Sequence, residues 1–409
     1  MKLHPFRALR PAPEHAQAVM SPPYDVVSAA EARAFAEGNP RSFFHVTRPE
    51  IDLPDGVDPY GAGVYEAGAA ALRRLRDDGT MIVDEAPAVW LYRLTRGDHV
   101  QVGFVGCADV DDYAAGRVKK HELTRKKKED DRTQHILTLG AQAGPVLLAC
   151  RVSDAIAAAR ESLTSRPAEL RLEAADGVLH ELWAVREASA LSQLAEAFAP
   201  LDAFYIADGH HRAASAERVR DAMVAEGKVD GPWQRFLVVV FPDDQLEIMD
   251  YNRVVADLNG LEPDDFLARV FEKFHIGDQG AKAAPSGHHR FGMYLDGAWR
   301  QLTARTEIVD DADPIRSLDV AILQDHLLGP ILGIGDPRTD PRIDFVGGIR
   351  GTDALSARVD AAGQGVAFAM YPTSLAELFA VADAGLIMPP KSTWFEPKLA
   401  SGLFLNLFE

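Results

Sequence analysis

A chain of 409 residues is too long for one small core, and at roughly 100–200 residues per domain it calls for two domains or one large domain with insertions. With 47% apolar residues it reads as globular rather than disordered. The balance of 43 Lys and Arg against 61 Asp and Glu leaves a net charge of −18, which repels a nucleic-acid backbone and argues against DNA or RNA as the main partner.

In chain order, residues 1–6 lack the apolar stretch of a signal peptide. No run approaches the roughly 18 apolar residues of a membrane span, so a cytoplasmic location is expected. Ser28 and Glu31 have the spacing of a capping box, and the helix they open should stop near Gly38-Asn39-Pro40. A second helix is expected from Asp58-Pro59 to Gly79, with Val64, Gly68, Ala71, Leu72 and Leu75 on one face. Residues 89–107 read as a hairpin turning at Gly97-Asp98, and residues 111–135 as a dense charged stretch. Residues 145–150 read as a buried strand. Asp176-Gly177 and Asp296-Gly297 mark further hairpin turns. A short apolar strand over 203–207 runs into Asp208-Gly209-His210-His211-Arg212, and a helix is expected from Ala213 to Ala225. Strands are expected at 236–241, 342–346 and 366–371, and helices at 262–274, 317–329 and 373–384. This loose alternation with several hairpins predicts an α+β fold. The two cysteines, Cys107 and Cys150, sit in apolar runs and read as buried inert thiols.

The segment 208–212 carries the strongest chemical signal. A strand, a glycine turn and a helix start present backbone amides to an anion, and Gly209 lets the backbone approach closely. Arg212 offers a planar fork of donors to phosphate oxygens. His210 and His211 can donate protons or hydrogen bonds near neutral pH. Asp208 can hold a magnesium ion or accept a hydroxyl proton. The bland alternative is a helix cap with two partly exposed histidines.

Three further segments add candidates. His121, Glu122 and Thr124 lie among basic residues that include Lys128 and Arg132. They read either as a lid over a polyphosphate or as a solvated helix face stitched by ion pairs. Lys391-Ser392-Thr393 and Lys398 sit in a proline-rimmed stretch that reads as a phosphate contact or as a C-terminal strap. Asp25 follows Pro22-Pro23-Tyr24, where the prolines fix an extended turn and place a carboxylate rigidly; a base and a structural turn read equally well. No dinucleotide fingerprint, P-loop, protein-kinase set or nucleophile elbow is present in the sequence.

In residues 21–27, 121–132, 206–212 and 388–403, with Leu318-Asp319-Val320 between them, the sequence resembles the bacterial and archaeal domain-of-unknown-function family 1015. It departs from the common pattern at Glu129-Asp130 and at Tyr251-Asn252-Arg253. The Asp-Gly-His-His-Arg block is also similar to the phosphate loop of the ParB/sulfiredoxin-like fold, which includes free-serine kinases. The resemblance implies a ParB/sulfiredoxin-like phosphate-binding core with additional α/β elements. It also implies reversible phosphoryl transfer between pyrophosphate, or a nucleotide, and L-serine, giving O-phospho-L-serine. On that reading Asp25, Asp208, His210 and His211 are the catalytic candidates. Gly209, His210, His211, Arg212, His121, Thr124, Lys128, Arg132, Lys391, Ser392, Thr393 and Lys398 hold phosphate. Asp208 and Glu122 hold Mg²⁺. The expected layout is a phosphotransfer core over 1–260 and an α/β region over 261–409 that closes the site. Competing expectations are a phosphoserine-phosphatase-like hydrolase and a non-catalytic nucleotide-binding, ParB-like regulator.

Overall fold

The computed structural model describes residues 1–54 and 56–409 and is a mixed α+β protein of several sheets. The chain divides into two compact units. One is residues 1–246 together with 397–409, and the other is residues 247–396. The divide therefore lies before the position near 260 that patterning suggested. The last 13 residues also return to the first unit, because the strand Leu405–Leu407 pairs with Ala8–Pro11 and Ala141–Gln142.

The first unit is organised by an eight-stranded mixed sheet. Its order is Val118–Lys119, Phe204–Asp208, Val146–Cys150, Arg235–Pro242, His99–Asp109, Val89–Arg96, Leu179–Val185, Leu170–Glu173. Two of its pairings are parallel, Phe204–Asp208 with Val118–Lys119 and Arg235–Pro242 with Val146–Cys150; the rest are antiparallel. The central strands read as continuous apolar runs because both faces are covered. Phe104, Phe198, Phe204, Leu148, Ile206 and Val238 form one buried cluster with the helix Ala188–Phe198. A four-stranded antiparallel sheet, Met81–Val83, Ala8–Pro11, Leu405–Leu407, Ala141–Gln142, packs its own core with the helix Ala62–Asp77. That helix buries Val64, Gly68, Ala71, Leu72 and Leu75, the face anticipated from periodicity. The Ser28–Glu31 capping box is formed at the helix Ala29–Ala36. Both cysteines are buried and free, and burial pushes the Cys150 thiol up to about 12.

The second unit is built on a six-stranded antiparallel sheet, ordered Phe274–Ile276, Ala298–Ala304, Arg290–Leu295, Val366–Ala369, Tyr251–Val255, Ile343–Gly347. The helix Asp353–Ala362 supplies Leu355 and Val359 to one face. A two-stranded ribbon pairs Glu247–Met249 with Trp394–Glu396. Among the described residues no helix is long and apolar enough to cross a membrane.

Asp319 begins the helix Asp319–Leu323 and is buried. Its Oδ1 accepts the His289 amide at 2.8 Å, and its Oδ2 has no hydrogen-bond partner among the described residues. Burial is the main cause that pushes this carboxyl up to about 7, with Glu377 adding to it. The folded state thus holds a proton that the unfolded chain releases near the ordinary carboxylate value. Stability is lost as pH rises toward 7, and the loss is complete above it. Asp319→Asn keeps the acceptor for His289 and removes the charge. Thermal unfolding should show it raising the midpoint by several degrees near pH 8 and hardly at all near pH 4. Equal shifts at both pH values would show that Asp319 ionises normally.

Candidate functional site

The strand Phe204–Asp208 ends in a register shift against Val146–Cys150, between Ile206 and Asp208, an irregularity that re-aims side chains at a strand end. Gly209 follows with φ 99°, and a β-carbon there would lie 2.8 Å from Arg212 Nε. Backbone conformation and space both demand glycine at this position. The helix His210–Ala225 then starts three residues earlier than patterning suggested, so His210, His211 and Arg212 form its first turn. No side chain caps that N-terminus, which leaves first-turn amides and the positive end of a 16-residue helix to face an anion.

Arg212 curls back under the turn. Its Nη2 sits 2.5 Å from Asp208 Oδ2, and its Nη1 donates to the Pro145 carbonyl. Lys398 Nζ lies 3.5 Å from the other carboxylate oxygen, Asp208 Oδ1. Burial alone would raise the Asp208 carboxyl, but Lys398 and Arg212 outweigh it and hold the group well below the usual carboxylate range. Asp208 is therefore a fixed anion between two fixed cations, and a poor proton acceptor.

The two histidines do something that spacing did not reveal. His210 Nε2 accepts the backbone N–H of His121 at 3.4 Å, and His211 Nε2 accepts that of Arg125 at 3.0 Å. Each ring thus carries its proton on Nδ1, and for His210 that nitrogen points toward Glu122 Oε2, 3.8 Å away. Burial holds both rings below the ordinary imidazole value, so they are neutral hooks on residues 121–125 rather than cations on a phosphate. The His121 ring packs edge-on against His210 at 4.6 Å. It bonds to the Ile206 backbone, and its Nδ1 is buried without a partner among the described residues.

The charged stretch after the hook is the helix Lys126–Leu139. Thr124 spends its hydroxyl on Glu129. Lys126 pairs with Asp130, Arg218 with Glu129 and Asp130, and Lys128 is exposed. The ion-pair stitching is present, and the segment expected as a lid is the non-helical stretch 121–125 leading into this helix, held by His210 and His211. Arg132 pairs with Asp131 at 2.8 Å and stacks 4.5 Å from the Tyr24 ring, while Tyr65 donates to Asp131 at 3.0 Å. Asp25, next to Tyr24, is exposed, and its charge reaches His211 and Arg212.

The family described as protein of unknown function DUF1015 matches residues 3–321. The chain belongs to that family. No curated protein matches it. Among solved structures, a free serine kinase (E30A mutant) in complex with AMP aligns at 14% identity over 71% of this chain and 86% of its own, with a TM-score of 0.36. A conserved hypothetical protein from Pyrococcus furiosus aligns at 14% identity over 71% and 90%, at 0.33. SbnI from Staphylococcus aureus aligns at 13% over 71% and 82%, at 0.36. Likenesses of that strength establish neither a shared core nor an activity.

In this DUF1015 chain the first unit brings together Asp25, His121, Glu122, Thr124, Lys128, Arg132, Asp208, Gly209, His210, His211, Arg212 and Lys398. Lys391, Ser392 and Thr393 belong to the second unit. There Lys391 has a left-handed backbone, φ 60°, and gives its carbonyl to Arg253 at 3.0 Å. Ser392 donates inward to the Pro389 carbonyl at 2.6 Å. Among the described residues no group of three or more His, Cys, Asp and Glu side chains is assembled to hold a metal. Tyr24, Tyr65 and Asp131 join the site without having been candidates from the sequence. The Tyr24 ring sits in a turn whose prolines were the available signal, whereas the Tyr65–Asp131 contact joins two helices and leaves no local trace.

Four buried histidines of this unit are held neutral, chiefly by burial: His121 and His180 at about 4, His135 at about 3, and His210 well below its ordinary value. The unfolded chain takes up protons near 6.5 that the folded state refuses, so stability is full above that value and falls as pH drops toward 4. His135 donates through Nε2 to the Val46 carbonyl at 2.9 Å, a bond a glutamine amide can replace. Urea titrations between about pH 7.5 and 4.5 should show a shallower decline in His135→Gln than in the wild type. Parallel declines would remove His135 from the account.

Proposed function

We propose that the protein is a small-molecule phosphotransferase with an alcohol acceptor. It would carry out reversible phosphoryl transfer between pyrophosphate, or a nucleotide, and L-serine, giving O-phospho-L-serine, on a ParB/sulfiredoxin-like phosphate-binding core. The observation that carries this reading is the uncapped, glycine-led helix start at His210, flanked by a carboxylate that Arg212 and Lys398 hold ionised. Phosphoryl transfer needs positive groups around the moving phosphoryl, a divalent cation and a base in line with the hydroxyl. First-turn amides, Lys398, Lys128 and Arg212 supply the first. Net charge −18 speaks against a DNA-binding regulator.

Magnesium usually takes one or two carboxylates and completes its octahedron with waters and substrate phosphates. Asp208 and Glu122 fit that sparse donor set and would hold the ion. Bound there, it neutralises charge on the phosphate oxygens. Asp208, held ionised between cations, suits that electrostatic task. The proton of the acceptor hydroxyl falls to Asp25, which is exposed beside the turn and free of such compensation by an ion pair among the described contacts. The hook from His210 and His211 keeps Glu122 and Thr124 near the helix start.

The test mixes protein, Mg²⁺ and L-serine with pyrophosphate, ATP or ADP in turn, and follows phosphoserine by phosphorus NMR; phosphoserine plus phosphate run in reverse is its companion. No phosphoserine with any donor defeats the reading, and phosphate released from phosphoserine without dependence on added phosphate marks a hydrolase. Arg212→Ala should lower kcat/KM about 10²–10³-fold, on the scale of losing one preorganised charge. Asp25→Asn should lower kcat about 10²–10⁴-fold with little change in KM. An Asp25→Asn enzyme that turns over normally removes Asp25 as the base.

A further inference from the structure

A small cavity of about 50 Å³ opens in the first unit between Tyr24, Arg132, Gly144 and Arg212, over an apolar floor that includes Ile136 and Phe236. Two guanidinium groups line it and no carboxylate does. The carboxylates that neutralise those arginines, Asp131 for Arg132 and Asp208 for Arg212, lie outside the lining. The cavity therefore faces positive charge whose compensation comes from behind. Arg132 is only 14% exposed and is held flat, by its bond to Asp131 and its stack on Tyr24, so it presents a preorganised edge rather than a mobile arm.

Shape and charge select the ligand. About 50 Å³ is ample for a carboxylate, since about 10–15 Å³ on the same measure already holds a water. A planar carboxylate matches the fixed guanidinium edge that Arg132 presents. Arg212 touches both places: it lines the cavity and, through Asp208, borders the helix start proposed above for the phosphoryl group.

We infer that this cavity binds the carboxylate of the acceptor, so that the enzyme selects alcohols bearing an α-carboxylate, with Arg132 as the specificity-determining residue. This rests on the phosphotransferase reading and assigns Arg132 to the acceptor instead of the donor. A carboxylate in the cavity orients the rest of a three-carbon acceptor toward the turn at Asp208. An alcohol without that group leaves the edges of two guanidinium groups toward the cavity without a ligand, and a site built for a polar group discriminates against an analogue that lacks it.

The experiment compares L-serine with ethanolamine, which lacks only the carboxylate, at saturating donor. Wild type should favour L-serine by about 100-fold or more in kcat/KM. Arg132→Ala should raise the KM for L-serine by about 10–100-fold, leave the donor KM unchanged and abolish most of the preference. Arg132→Lys keeps the charge and the pairing with Asp131, and stands in should the alanine variant not fold; it should lose about 10-fold in the same direction. An unchanged serine KM, or a donor KM that rises instead, overturns the assignment. Direct calorimetric titration of L-serine and L-lactate separates this inference from the one beneath it. If no acceptor is phosphorylated but both ligands bind wild type and bind Arg132→Ala at least about 10-fold more weakly, the cavity stands and the phosphotransferase reading falls. Absent binding, or binding equal in both proteins, removes the cavity's role whatever the turnover.

Discussion

The ion pair between Asp208 and Arg212 bridges the turn from strand to helix, and the arrangement around it depends on that pair. It closes only because Gly209 takes a left-handed backbone that lets the Arg212 side chain fold under the turn. Arg212 in turn reaches the Pro145 carbonyl, which ties the strand Val146–Cys150 to the first turn of the helix His210–Ala225. Pairings on both sides keep Phe204–Asp208 and Val146–Cys150 inside the large sheet rather than at its edge. The turn is therefore a rigid feature of the core, and it can carry the closely spaced charges that a flexible loop would relax away.

The same turn organises the basic segment. His210 and His211 use their ring acceptors on two backbone amides four residues apart, at His121 and Arg125. Such hooks work only with neutral rings, and burial keeps them neutral. A pair of charged histidines would offer no acceptor and would repel Lys128 and Arg125. Burial thus converts residues that look like phosphate ligands into a device that fixes the position of Glu122 and Thr124.

Much of this was legible in the sequence. The hairpins at Gly97-Asp98, Asp176-Gly177 and Asp296-Gly297 form where turn chemistry placed them, and the capping box at Ser28 opens its helix. Local chemistry decides such elements. The start of the helix at His210 was misplaced by three residues because its N-cap is a left-handed glycine with no capping side chain. The return of residues 397–409 to the first unit rests on strand pairing with Ala8–Pro11, nearly the whole chain away, and no periodicity records that. Within the site, residue types were readable and their partners were not. Arg212 looks like a free fork in sequence, and only the fold shows two of its arms occupied.

That occupation bears on how an acidic protein can handle an anion. The largely buried cations of the first unit's site are paired in advance: Arg212 and Lys398 with Asp208, Arg132 with Asp131. A bare cluster of this size would be costly to bury, whereas a compensated one is affordable and leaves only shallow positive potential at the helix start. An incoming phosphate then gains by sharing cations that already have partners, and by the helix amides that have none from a side chain. Affinity for the donor should accordingly depend less on ionic strength than the count of basic residues implies, because few of these charges meet solvent counterions before the ligand arrives.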